Sequence, residues 1–66
     1  MQNVQKLREQ RNSLANSLHT LLEKKDDEKW TTENQATYDN TMVEIENING
    51  EMGRIEAYEK LIDAQS

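Results

Sequence analysis

Residues 38–62, YDNTMVEIENINGEMGRIEAYEKLI, decide the fold. Their large apolar side chains fall at Tyr38, Met42, Ile45, Ile48, Met52, Ile55, Tyr58 and Ile62, at steps of four, three, three, four, three, three and four. A half-buried strand alternates in twos. Steps of three and four keep side chains on one face of an α-helix, at coiled-coil spacing. The chain contains no proline, so nothing in it forces this helix to break. Gly50 and Gly53 each weaken a helix by about 1 kcal/mol relative to alanine. They mark a bend, a close helix contact or a tolerated surface position.

Upstream of this stretch, Trp30 stands before Thr31-Thr32-Glu33-Asn34-Gln35. Either threonine can cap a helix. Thr32 with Gln35 has the capping-box spacing, and Glu33 suits a first turn, so the second helix is expected over about 32–63. Trp30, just before the cap, is expected to pack back as a hydrophobic staple, and otherwise to anchor a partner. Asp26, Asp27, Glu28 and Lys29 lack apolar periodicity, which gives a connector over about 26–31.

Further upstream, Val4, Leu7, Leu14, Leu18, Leu21 and Leu22 trace a second stripe, interrupted by Arg11. In heptad terms Leu7, Leu14 and Leu21 share d, while Val4, Arg11 and Leu18 share a. A first helix is expected over about 3–25, its end at Glu23-Lys24-Lys25 placing cations where the helix dipole is negative.

Two helices on a short connector fold back as an αα-hairpin. The expected fold is therefore all-α: one domain over 1–66, a two-helix antiparallel coiled-coil hairpin with the second helix longer. Its seam is expected to hold Leu7, Leu14, Leu18 and Leu21 against Tyr38, Met42, Ile45, Ile48 and Met52. Charge fits this pairing. Residues 1–25 carry Lys6, Arg8, Arg11, Lys24 and Lys25 against Glu9 and Glu23, a net of +3. Residues 26–66 carry Lys29, Arg54 and Lys60 against eleven acids, a net of −8, in accord with −5 overall. Opposite charge on two paired helices is what coiled-coil flanks show. Arg11 and Lys25 at seam positions oppose a tight symmetric bundle on that face.

At ~1.5 Å per residue the helices should measure about 33 and 45 Å. The first then reaches to about Gly53, leaving Ile55, Tyr58, Leu61 and Ile62 to project. Exposed apolar residues in a row mark a contact with another chain. With Trp30, these four are the candidate partner or self-association contacts.

Composition bounds the function. Sixty-six residues without cysteine exclude disulfides and thiolate metal sites, and a core this small rarely supplies more than about 3–5 kcal/mol. Only 33% of residues are hydrophobic, while 32% are charged. That is too polar for a compact globule and ordinary for a single buried seam. A net charge of −5 opposes phosphate binding, so nucleic acid is not an expected partner. No apolar run is long enough for a membrane span or a secretory signal. His19, the sole histidine, has Ala15, Asn16, Leu22 and Glu23 at helical spacing and no nucleophile among them. Glu44, Glu46, Glu51, Glu56 and Glu59 form an acidic helix face without the pocket that acid–base chemistry needs. Asp26-Asp27-Glu28 lacks the alternating ligands and glycine of a calcium loop. No catalytic residue, cofactor site or metal site is expected, and the chain is not expected to be an enzyme.

The residues also carry a family resemblance. Lys6-Leu7-Arg8-Glu9-Gln10-Arg11, Leu14, Leu18 and Leu21-Leu22-Glu23 resemble an LRE-x-R…LL opening. Trp30-Thr31-Thr32-Glu33, Tyr38-Asp39, Glu44-Ile45 and Arg54-Ile55-Glu56 resemble L-T-x-E…Y-D…E-I…R-I-E. Together they are similar to the N-terminal scaffolding (delta) domain of tailed-phage major capsid proteins of the Hong Kong-phage fold, over nearly the whole chain. Trp30 departs from the smaller aliphatic residue usual there, and Gly50 and Gly53 interrupt a helix normally rich in Ala, Leu and Glu. The resemblance implies a covalently attached scaffold that directs procapsid assembly. It would lie in the host cytoplasm, inside the immature capsid, and leave by proteolysis. Its implied partners are other copies of itself and capsid subunits. The shell domain is not among these residues, so the expectation is an excised fragment or a short gene carrying the scaffold alone. The alternative is a stand-alone phage or bacterial regulator in the cytoplasm that binds a host protein through its helices.

Overall fold

The computed structural model describes residues 3–23 and 29–65 and contains two helices, α1 (Val4–Leu22) and α2 (Thr32–Gln65), packed as a hairpin. The second helix is the longer, 34 residues against 19. The molecule measures 58 × 16 × 15 Å, and its radius of gyration is 16.3 Å. A compact domain of this length would have about 11 Å, so the hairpin is a rod with a single seam rather than a globule.

Each helix starts where a side chain satisfies the free amides of its first turn. Asn3, in extended conformation, accepts from the Gln5 amide at 2.8 Å and caps α1. Thr31 caps α2: its Oγ1 accepts from the Asn34 amide at 3.0 Å, and its carbonyl accepts from the Gln35 amide at 3.1 Å. This corrects the expectation of a Thr32–Gln35 capping box. Gln35 is one place too late for Thr31, and its side chain is engaged elsewhere. The first helix ends at Leu22 rather than near Lys25, with Glu23 donating its amide to the His19 carbonyl at 3.0 Å. Lys24, Lys25 and the acidic run 26–28 lie outside the described residues.

Contacts fix the direction of pairing. Leu7 packs with Met52 and Ile55, flanked by Val4 and Ile48. One turn on, Arg11 Nη1 donates to Asn49 Oδ1 at 3.0 Å. Beyond that, Gln10, Ser13 and Leu14 share a groove with Glu44 and Ile48. Rising numbers on α1 meet falling numbers on α2, so the helices run antiparallel. Stepping one for one from the Arg11–Asn49 bond puts Leu22 level with Tyr38, and Val4 level with Ile55 and Glu56.

Among the described residues the buried apolar side chains are few: Leu7, at 2% exposure the most deeply buried, with Leu18, Met52 and Ile55. The other expected seam residues, Leu14, Leu21, Tyr38, Met42, Ile45 and Ile48, are half-buried, as a two-helix seam open on both sides requires. Ile55 departs from expectation. It was assigned to the projecting end of the second helix, yet it is 9% exposed and belongs to the hairpin core. The helices are separated by residues 23–31 instead of a six-residue connector. Leu22 stands level with Tyr38 and not with the start of α2, and the same register brings Val4 and Leu7 over Ile55.

Both glycines sit inside α2, which is continuous, and neither has a positive φ. A Cβ on Gly53 would meet nothing within 4 Å, so Gly53 is a tolerated surface position and no close helix contact. On Gly50 it would come to 3.4 Å from the flexible end of Arg54.

Candidate interaction surface

Beyond Ile55, α2 continues for three more turns past the start of α1. Its apolar stripe continues with it: Tyr58, Leu61 and Ile62 are 49%, 62% and 45% exposed. Residues at i, i+3 and i+4 of a helix are neighbours, so the three form one patch. Exposed glutamates at 56 and 59 and Lys60 surround it.

The other candidate contact, Trp30, lies at the opposite end of the rod. Some 32 residues separate it from Ile62, about 48 Å along a helix. The structure therefore divides the five candidates three ways: Ile55 in the core, Tyr58, Leu61 and Ile62 at one end, and Trp30 at the other. Trp30 precedes the Thr31 cap, and the residue a staple would pair it with is Gln35, four places into the helix. That contact is polar: Trp30 Nε1 donates to Gln35 Oε1 at 2.9 Å, and Gln35 Nε2 donates to Asp39 Oδ1 at 2.9 Å. The apolar part of the ring meets Tyr38 edge to face, with centroids 6.5 Å apart and planes at 72°. Such aromatic pairs add ~0.5–1.5 kcal/mol beyond burial. Trp30 thus pins the entry to α2 while 43% of it stays open to solvent.

Two exposed apolar residues were not singled out from sequence as contacts. Val43 and Leu22 are both more than half exposed. Val43 follows Met42 by one place, which turns it off the stripe. Leu22 likewise follows Leu21, and only one of two adjacent leucines can face α2.

Across the seam, the guanidinium of Arg11 meets an amide, in its bond to Asn49. His19 Nε2 lies 2.7 Å from Glu23 Oε1 on the open face of α1. A surface pair of this kind contributes little to stability. Among the described residues, no group of three or more His, Cys, Asp or Glu side chains converges on a point where a metal ion could sit. The groove lined by Gln10, Ser13, Leu14, Glu44 and Ile48 is shallow and brings a single carboxylate to its wall. Nor is any helix among these residues long and apolar enough to cross a membrane. No family model matches the sequence, and no curated protein or solved structure matches it significantly either.

Proposed function

We propose that the hairpin is a non-catalytic protein–protein interaction domain, and that it serves as the scaffolding domain directing procapsid assembly of a phage major capsid protein. The observation that carries the interaction role is the apolar end of α2, where Tyr58, Leu61 and Ile62 project past α1. A chain of this composition has little apolar surface to spare, so leaving three large side chains open on one helix end suits a site filled by another protein. The scaffolding role rests on the sequence resemblance. The physics of the rod accords with it. A thin seam, with four buried side chains among the described residues, makes a domain of low stability, able to associate reversibly during assembly and to be removed without dismantling a large core. Its place would then be the inside of the immature shell, in the host cytoplasm.

Assembly of capsid subunits with and without residues 1–66 tests the scaffolding role. Its loss should give few or misshapen shells. Normal shells at normal yield would sink the proposal. The intact mass of the gene product in producing cells then separates the two forms. A longer precursor beginning with these residues fits an attached scaffold, while a product ending at Ser66 points to a stand-alone regulator.

A further inference from the structure

The shallow groove and the open end of α2 share one flank of the rod. At about 100° per residue, Glu44, Ile48, Glu51, Ile55, Tyr58 and Ile62 fall within an arc of about 80° on α2. Glu44 and Ile48 form one wall of the groove, and Gln10, Ser13 and Leu14 of α1 form the other. Ile55 is closed by α1, and past it Tyr58 and Ile62 lie open. The Arg11–Asn49 bond is on the other flank, with Asn49 about 140° round α2 from the middle of this arc. Straight ahead of α1 the seam does not continue, because one heptad after Met52 stands the exposed Glu59. We infer that the flank takes a third helix, supplied by another protein, that is apolar at three-and-four spacing and carries Lys or Arg opposite Glu44, Glu51 and the end of α2. The inference rests on the proposed interaction role and adds the kind of partner.

Length and charge select this occupant. From Glu44 to Ile62 the strip runs 18 residues, about 27 Å. Five turns of one helix can therefore lie in the groove and run on over Tyr58 and Ile62. Such a helix sits beside α1 and not ahead of it, so Asn3 and Val4 keep their places. Between residues 44 and 62 the only ionisable side chains inside the arc are acidic, those of Glu44 and Glu51; Arg54 and Lys60 stand outside it. Among the described residues neither glutamate is paired with a cation, and exposed Lys6, on the α1 side, pairs with neither. The last turn of α2 contains no basic residue, so the negative end of its dipole stands uncompensated beside Ile62. Opposite charge across an interface steers docking and fixes its register. A second copy presents the same acidic strip with no cation on it, so it lacks the matching charge, whereas a basic amphipathic helix supplies it.

The probes are two helical peptides of about 18 residues, each with Leu at three-and-four spacing, one flanked by Lys and the other by Glu. Each is titrated by fluorescence anisotropy against the 66-residue chain at about 0.15 M salt. The Lys peptide should bind with a Kd below about 1 mM, at least about fivefold tighter than the Glu peptide. Glu44→Lys with Glu51→Lys should weaken the Lys peptide by at least about fivefold and tighten the Glu peptide. Glu46→Lys with Glu56→Lys makes the same change of net charge on other faces of α2, and should move neither by more than about twofold. Ile62→Ser should weaken both peptides and leave helical circular dichroism unchanged, since Ile62 lies outside the hairpin core. No binding up to about 1 mM, equal affinity for the two peptides, or equal effects of the two charge-reversed pairs would each overturn the inference. So would self-association of the chain alone that Ile62→Ser abolishes, which would make a second copy the occupant. Shells that need residues 1–66 while both peptides fail to bind would strike this inference and leave the interaction role standing.

Discussion

Ile55 and Ile62 are the same residue on the same helix, seven places apart, and the structure gives them opposite roles. Ile55 is covered by α1, whereas Ile62 is 45% exposed past its end. Replacing each by alanine removes the same atoms. It also adds the same small gain in helix propensity, up to about 0.5 kcal/mol. The difference between the two variants therefore reports burial alone. Truncating a buried Ile to Ala costs ~2–5 kcal/mol, and a seam open on both sides relaxes readily, which places Ile55→Ala at the low end, about 2 kcal/mol. Against a total of about 3–5 kcal/mol for a domain this small, that is near half of the stability. At ~4–8 °C per kcal/mol the unfolding midpoint should fall by roughly 10 °C. Ile62→Ala should move it by no more than ~0.5 kcal/mol in either direction, as exposed substitutions do. Thermal unfolding followed by circular dichroism at low concentration measures both. Equal shifts in the two variants would refute the register that places Val4 and Leu7 over Ile55.

Three further predictions concern local structure. Thr31→Ala should cost about 1 kcal/mol through loss of the bond to the Asn34 amide, while Thr32→Ala should be near neutral; urea midpoints of the two variants compare them, and the reverse order would restore Thr32 as the cap. Gly53→Ala should stabilise by up to ~1 kcal/mol, since the added methyl meets nothing and alanine is the better helix former; a loss in urea unfolding would mean that the position is crowded. Arg11→Leu should hold or raise the unfolding midpoint, because a half-buried cation leaves the seam, and should broaden the range of oligomers seen by sedimentation. A variant that is less stable and equally uniform would show that Arg11 contributes to stability rather than specificity.

The sequence by itself determined the helices and their seam faces. Steps of three and four from Val4 to Leu22 and from Tyr38 to Ile62 admit one local geometry, and in each helix that geometry gathers the large apolar residues on one side. Without proline there was nothing to end α2 early, and two such helices with one apolar face each have to bury them together. What only the tertiary structure decided is the register. How far one helix reaches along another depends on where the connector leaves α1 and enters α2, and periodicity is unchanged by a slide of one turn. That slide moved Ile55 from the expected contact surface into the core and left Tyr58, Leu61 and Ile62 as the patch. The cap was hidden for a similar reason: two adjacent threonines carry the same chemistry, and the choice of Thr31 left Trp30 to meet Gln35. Its indole N–H takes the Gln35 oxygen where the pattern suggested an apolar staple, because an edge-on contact with Tyr38 already occupies the ring. Pattern in the chain is a property of one helix at a time, whereas the exposed end of α2 exists only as a difference in reach between two.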